Sequence, residues 1–383
     1  MHINIILIII VLFSHLFATS YTDEMLKKVK DNYSNYQKEL FIEKTKKNNN
    51  VQKEKIIHQK KETNTNIGYA KEISYEKNDT DIKSLTAIEK QIKDTTLRII
   101  ADSNNDIDKA KAIFTWVASN ITYDDYAANT NDYSASKQYD SPAEATFARR
   151  KAVCNGFANL YKRMCDFAGV ECVVVSGYAK GVGYEVGNSL PDDSNHAWNA
   201  IRVHKSYILI DSTWGAPDND NDSGDKRSDK GVEYYYFMTP PEKFIYSHLP
   251  DEQKWQLLDN PVSKEDFINM PHIRNKAKLF FYKIGFGPST QGTINSYRLN
   301  NTLSIIAPKN VTITSYIRYV GSKKEMSQYS KSTRNGENVN IKINFPYRGS
   351  YIIDIYAGIK DVKSDGSWSL NSDRVLSYRY NVL

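Results

Sequence analysis

The most constraining stretch of this chain is residues 151–169, KAVCNGFANLYKRMCDFAG. From Cys154 onward, Phe157, Leu160, Tyr161, Met164 and Ala168 recur at three- and four-residue steps, which predicts a helix with one buried face. Gly169 supplies the left-handed residue that ends such a helix. The period then changes. Residues 172–178, 197–203 and 207–211 read as strands, with another over 234–238 after a long loop. Helices first and strands after them predict an α+β fold, with helices packed on an antiparallel sheet. The same pattern puts Cys154 in the first turn of a buried helix. Unpaired backbone N–H groups and the positive end of the dipole favour a negatively charged sulfur there, which is the nucleophilic form. His196 at the start of one strand and Asp211 at the end of the next follow in chain order. Cysteine, histidine and aspartate so placed make a candidate nucleophile, base and orienter.

The remaining segments fill in the layout. Ile82, Leu85, Ile88, Ile92 and Ile99 mark one amphipathic helix. Asn105 caps a second, residues 106–120, that buries Ile107, Ala110, Ile113, Phe114 and Val117. Ser141-Pro142-Ala143-Glu144 predicts a capping box with proline at the first helical position and a short helix through Ala148. Pro240-Pro241 opens another short helix, and residues 255–267 read as an irregular coda on the core. The last hundred residues differ in kind. Val339, Ile341, Ile343 and Phe345 alternate, Val311 and Ile313 begin a similar run, and 351–357 is strand-like throughout. Turn signals at Asn335-Gly336 and Asp365-Gly366 separate these runs. Six or seven short strands without a helix predict a small, immunoglobulin-like β-sandwich. It carries no cysteine and no cluster of histidines or acids, so binding or support is expected of it, not chemistry.

Residues 3–17 form an apolar run of secretory length, too short to span a bilayer comfortably, and Ala18-Thr19-Ser20 offers a cleavage site. Residues 1–20 are therefore expected to be a signal peptide, with a retained anchor as the alternative, and the protein to be secreted or otherwise exported. Residues 23–66 hold eleven lysines against seven acids, which accounts for +4 of the chain's net +6. The excess charge thus lies in a polar linker over 21–80, leaving little basis for a nucleic-acid partner. The three cysteines, Cys154, Cys165 and Cys172, are too few and too clustered for a disulfide framework. Cys165 and Cys172 either pair or pack as small apolar groups. The expected organisation is completed by a catalytic domain over 81–272 and the β-sandwich over 273–383.

At Cys154, His196 and Asp211 the sequence resembles a known family. VCNGFANLYKRMCDFAGVECVVVSGYAKG, NHAWNAIRV and YILIDSTWGA resemble the transglutaminase-like superfamily of papain-like thiol enzymes, with FTWV and ITYD as its lead-in. Tyr235-Tyr236-Phe237-Met238, Pro241, Phe244-Ile245, His248-Leu249-Pro250, Trp255-Gln256-Leu257-Leu258 and Phe267 resemble the tail of its kyphoscoliosis-peptidase-like branch. The resemblance covers roughly residues 106–271. It implies a Cys–His–Asp triad on a papain-like core. One departure is Ala152, where the family has glycine two residues ahead of the nucleophile.

In that reading Cys154 attacks an acyl carbon, His196 takes and returns the proton, and Asp211 holds the ring nitrogen remote from Cys154. The Cys154 backbone N–H supplies one oxyanion donor, and Tyr123 is the candidate for another by its place in the motif. Trp198 and Trp214 are expected as core or cleft walls. Asn199 is a possible supporting donor, though an exposed strand position explains it equally well. His204 and His248 are assigned to structure. Asp218, Asp220 and Asp222 alternate ahead of Gly224 and Asp229, which echoes a calcium loop, but the glycine is one place late and no flanking helices are evident. A solvated insertion loop accounts for it better, and no cofactor or metal is expected. The chemistry expected is thiol acyl transfer on a protein or peptide substrate, as peptide hydrolysis or as cross-linking to an amine. A catalytically weak scaffold that binds partner proteins is the reading from another class.

Overall fold

A computed structural model of the chain describes residues 85–129, 141–181, 183–203, 206–217, 231–274, 277, 291–320, 327–362 and 367–383. The expected signal peptide and linker, Ile82, His204, the Asp218–Asp220–Asp222 loop and the Asp365-Gly366 turn lie outside them.

Helix α1, Ala87–Ile99, starts with a full capping box: Thr86 accepts the Glu89 N–H and the Glu89 carboxylate accepts the Thr86 N–H. Helix α2, Asp106–Asn120, is capped by Asn105 as the sequence predicts, and buries Ala110, Ile113, Phe114 and Val117. Strand β1 (Thr122–Tyr123), helix α3 (Asp125–Asn129), helix α4 (Ala143–Arg149), strand β2 (Lys151–Ala152) and helix α5 (Cys154–Ala168) follow. At α4 the predicted capping box does not form. Pro142 takes the cap position without a side-chain cap, and the Ser141 carbonyl accepts from Asn159 Nδ2 at 3.0 Å, so this corner is tied to α5 instead. Gly169 ends α5 at φ +72, the left-handed stop read from the sequence.

Strands β3 (Cys172–Ala179), β4 (His196–Val203), β5 (Ser206–Ile210) and β6 (Phe237–Thr239), helix α6 (Pro241–Phe244) and strand β7 (His248–Pro250) complete the first core. The strands form one antiparallel sheet in the order β6-β5-β4-β3-β7. The strand predicted over 234–238 is half correct: Tyr234–Tyr236 is a single 3₁₀ turn and only then does β6 begin. The turn is closed by the Tyr236 and Phe237 N–H groups on the Glu233 and Tyr234 carbonyls, and the Tyr236 carbonyl accepts the Asp211 N–H at 2.9 Å. Helix α5 packs on this sheet and against α1, α2 and α4. Phe114, Phe157, Leu160, Tyr161, Met164, Trp198, Ile201 and Ile210 form one buried cluster. The fold is α+β.

The expected coda contains a 3₁₀ turn, Gln253–Gln256, and helix α7, Lys264–Asn269, which bury Trp255 and Phe267. Strand β8, His272–Ile273, comes next, then β9 (Thr293–Ser296), β10 (Asn300–Ile306), β11 (Val311–Tyr319), β12 (Ser327–Tyr329), β13 (Lys331–Asn335), β14 (Asn338–Asn344), β15 (Gly349–Val362) and β16 (Trp368–Val382). Sheet β10-β14-β13 faces sheet β12-β11-β15-β16-β8, with β9 alongside β16. Leu303, Ile305, Val339 and Ile341 from one sheet meet Ile313, Ile353, Ile355 and Tyr378 from the other. Strands β15 and β16 span 14 and 15 residues, longer than the short strands expected. Gly336 makes the predicted turn between β13 and β14 at φ +63.

This β-rich part touches the loop that joins β3 to β4. Arg379 of β16 donates to the Val186 carbonyl at 3.1 Å, and Arg318 of β11 pairs with Glu185 at 2.5 Å. At the root of that loop Lys180 is buried against Phe267 and Tyr184, with its amine donating to the Met270 carbonyl at 3.3 Å.

Candidate active site

Cys154 occupies the first turn of α5 and is 4% exposed. Val153, the cap residue, has extended backbone and no side-chain acceptor, so no side chain caps the first-turn N–H groups through it. The position of the turn is fixed from below. Strand β2 pairs in parallel with β1, setting Tyr123 opposite Ala152, and the Asp124 N–H donates to the Ala152 carbonyl at 3.0 Å. Ala152 stands where the family has glycine, and its methyl fits because the facing residue is Gly156. A Cβ on Gly156 would lie 2.5 Å from the Ala152 Cβ.

His196 opens β4 and Asp211 follows directly after β5, the neighbouring strand. His196 Nε2 and Asp211 Oδ2 are 2.8 Å apart, and both side chains are buried. With Nε2 engaged by the carboxylate, Nδ1 is the ring nitrogen left for the thiol. Cys154 is near enough to His196 to favour its protonated ring. Asp211 is itself held in place: its Oδ1 accepts the Trp214 N–H at 3.0 Å. Opposite His196 on β3 lies Gly177, where a Cβ would come within 2.3 Å of the Leu249 carbonyl and 2.7 Å of the Trp198 ring. Only glycine lets β7 and Trp198 close in at this point.

Burial alone would lower the pKa of His196, but the charge and hydrogen bond of Asp211 outweigh it and hold the ring up at about 10. Burial would raise Asp211, and His196 and His248 reverse that, keeping the carboxyl well below the usual range. The pair is thus a charged carboxylate against a ring that holds a proton readily.

His248, assigned to structure from the sequence, is the residue that reading missed. It opens β7, is fully buried, and its Nε2 stands 3.0 Å from the same Asp211 Oδ2 that His196 engages. Its ring stacks on Phe244 with centroids 3.9 Å apart and lies 4.4 Å from Trp214. Burial pushes its pKa down to about 4 despite the Asp211 contact. Neither spacing nor charge pattern points to it, since 37 residues separate it from Asp211. The hint available was its place in the His248-Leu249-Pro250 motif.

The other candidates divide. Trp198 and Trp214 flank the rings, with centroids 6.0 and 5.6 Å from His196, and form walls as expected. The Asn199 side chain is not brought to the triad, and its strand position is not exposed. It is fully buried and donates to the Ala158 carbonyl of α5 at 3.1 Å and to the Val173 carbonyl at 3.3 Å, stapling helix to sheet. Tyr123 is half-buried beside β2, two residues from Cys154 in register. Cys165 and Cys172 are free thiols buried in the core beside Tyr161. His196, Asp211 and His248 present three ligand-type atoms within 4.8 Å of one another. Both rings already hydrogen-bond the one carboxylate oxygen.

Residues 93–212 match the profile of the Transglutaminase-like superfamily. This chain contains a transglutaminase-like domain. Kyphoscoliosis peptidase of Mus musculus is 31% identical over 288 residues, covering 74% of this chain and 40% of the relative. Kyphoscoliosis peptidase of Homo sapiens is 31% identical over 296 residues, covering 76% and 42%. Hillarin of Drosophila melanogaster is 27% identical over 314 residues, covering 76% and 37%. The chain therefore spans about 40% of the length of these relatives. The transglutaminase-like match takes in Cys154, His196 and Asp211, and the similarity beyond it agrees with the kyphoscoliosis-peptidase-like branch that the tail motifs suggested. His248 lies outside the matched 93–212 segment, in that tail.

Proposed function

We propose that this protein is a thiol enzyme that cleaves peptide or amide bonds through a thioester on Cys154. The observation that carries the reading is the His196–Asp211 contact at 2.8 Å, with Cys154 as the neighbour of the ring at a helix start. The Cys154 proton passes to His196 Nδ1 to give a thiolate–imidazolium pair, and the sulfur then bonds to the acyl carbon. The carbonyl oxygen becomes an oxyanion facing the first-turn N–H groups of α5. The C–N bond then breaks, and His196 returns the proton to the departing amine. Water next gives a proton to His196 and attacks the thioester, releasing the carboxylic acid and restoring the thiol. A lysine amine in place of water would give a cross-link by the same steps. Hydrolysis is preferred because the similar vertebrate proteins are named as peptidases.

The test is site-resolved labelling with iodoacetamide on wild type, Cys154→Ala and His196→Ala, followed by peptide-cleavage and amine-incorporation assays on casein. Cys154 is expected to label at least tenfold faster than Cys165 and Cys172, and His196→Ala to remove that advantage. Equal labelling of the three cysteines would sink the proposal. Amine incorporation without cleavage would replace the peptidase by a cross-linking enzyme.

A further inference from the structure

We propose that His248 is a positioning residue for the reacting set, so that the working unit is four residues, Cys154–His196–Asp211–His248. This rests on the reading of Cys154, His196 and Asp211 just given.

Asp211 Oδ2 receives both imidazoles, His196 Nε2 at 2.8 Å and His248 Nε2 at 3.0 Å. An ionised carboxylate only accepts, so Nε2 of each ring must carry its proton. For His248 that leaves Nδ1 as the lone pair. Ser247 Oγ lies 2.8 Å from it and 3.3 Å from the Phe244 carbonyl, and with the Nε2 proton held by Asp211 its one hydroxyl proton is best placed on the nearer Nδ1, which fixes the tautomer. His248 cannot turn away. Phe244 stacks on one side, Trp214 lies against the ring, and Trp198 meets it edge-on with centroids 5.2 Å apart. The titratable groups around the ring are Asp211, His196, and Tyr236, whose ring centroid is 6.4 Å away.

The two histidines do different work on one oxygen. His196 faces Cys154 and exchanges the proton. His248 is remote from the thiol, stays neutral, and gives Asp211 a second, immovable donor. Together with the Trp214 N–H on Oδ1, it fixes the plane of the carboxylate, and that plane sets how well Asp211 holds the His196 imidazolium. Removing the donor lets Asp211 rotate and weakens the thiolate–imidazolium pair.

The pH profile of Cys154 alkylation by iodoacetamide reads this directly and requires no substrate. His248→Leu keeps the volume and deletes the donor. Its acid limb is expected to move up by roughly one pH unit, the size expected for losing one hydrogen bond to a charged group. His248→Gln keeps an N–H where Nε2 stood and is expected to return the limb to within a few tenths of a unit of wild type. Ser247→Ala unlocks the tautomer and is expected to give a smaller shift in the same direction. A folded His248→Leu protein with the wild-type profile would overturn the proposal. So would equal shifts in the Leu and Gln variants, which would show a packing effect. If His248→Leu does not fold, a Ser247→Ala profile that superimposes on wild type overturns it. Failure of the underlying reading looks different: wild-type Cys154 would then label no faster than Cys165 or Cys172.

Discussion

His196 and His248 share one oxygen of Asp211 yet respond to pH in opposite directions. The His196 ring is held up at about 10, above its ordinary 6.5, so folding binds its proton. That contribution to stability is complete below about pH 6.5 and is lost as pH rises toward 10. The His248 ring is held down at about 4, so its contribution is complete above 6.5 and is lost as pH falls toward 4. Asp211, held below its ordinary 3.8, adds a term that fades under still more acid conditions. Thermal melts across pH 4–10 are therefore expected to peak near neutrality, and His248→Leu to flatten the acid side alone. A melting temperature that does not vary over this range would contradict both assignments. The places of Cys154, His196 and Asp211 in the fold were legible because each sits where a local pattern begins or ends: a helix start, a strand start, a strand end. His248 was not, because its partner is set by β7 pairing with β3, and no local pattern encodes that pairing.

At the level of elements, α5 is the part most fully written in the sequence. Its apolar steps were readable from 3.6-residue periodicity and its stop from Gly169. Its attachment to the sheet was not. The sequence leaves Asn199 open between a supporting donor and an exposed strand position. In fact β4 has β3 and β5 on its two edges and α5 packed against it, and its first six residues are all buried. A polar side chain there must find partners, and Asn199 finds one on α5. Asn199→Ala is expected to destabilise the fold by about 1–3 kcal/mol. It should leave the pH profile of Cys154 alkylation where it was, since its side chain donates to the Ala158 and Val173 carbonyls and not to Cys154, His196 or Asp211. Denaturant unfolding together with alkylation checks both halves, and a displaced profile would return Asn199 to the site. The α4 start teaches a related point. Ser141-Pro142-Ala143-Glu144 has the letters of a capping box, but the corner is fixed by its tie to Asn159, a tertiary contact that outranks the local motif.

Across the whole molecule, the alternating runs after residue 300 announced a sandwich, but not its reach. Arg318 and Arg379 come from its strands and grip Glu185, Val186 and Asn188, in the loop that delivers His196. No local pattern in the sequence marks these two arginines. Arg379→Ala is expected to open peptide bonds near 184–188 to limited proteolysis and to slow Cys154 alkylation several-fold, with the strand content by circular dichroism unchanged. A loop as resistant as wild type would assign Arg379 to the surface. The grip also has a consequence in time. Arg379 lies 193 residues after the carbonyl it holds. During synthesis, Cys154, His196 and Asp211 have all left the ribosome long before the residue that closes the loop exists. The nascent chain thus carries all three side chains while the contact that clasps the loop before His196 cannot yet form.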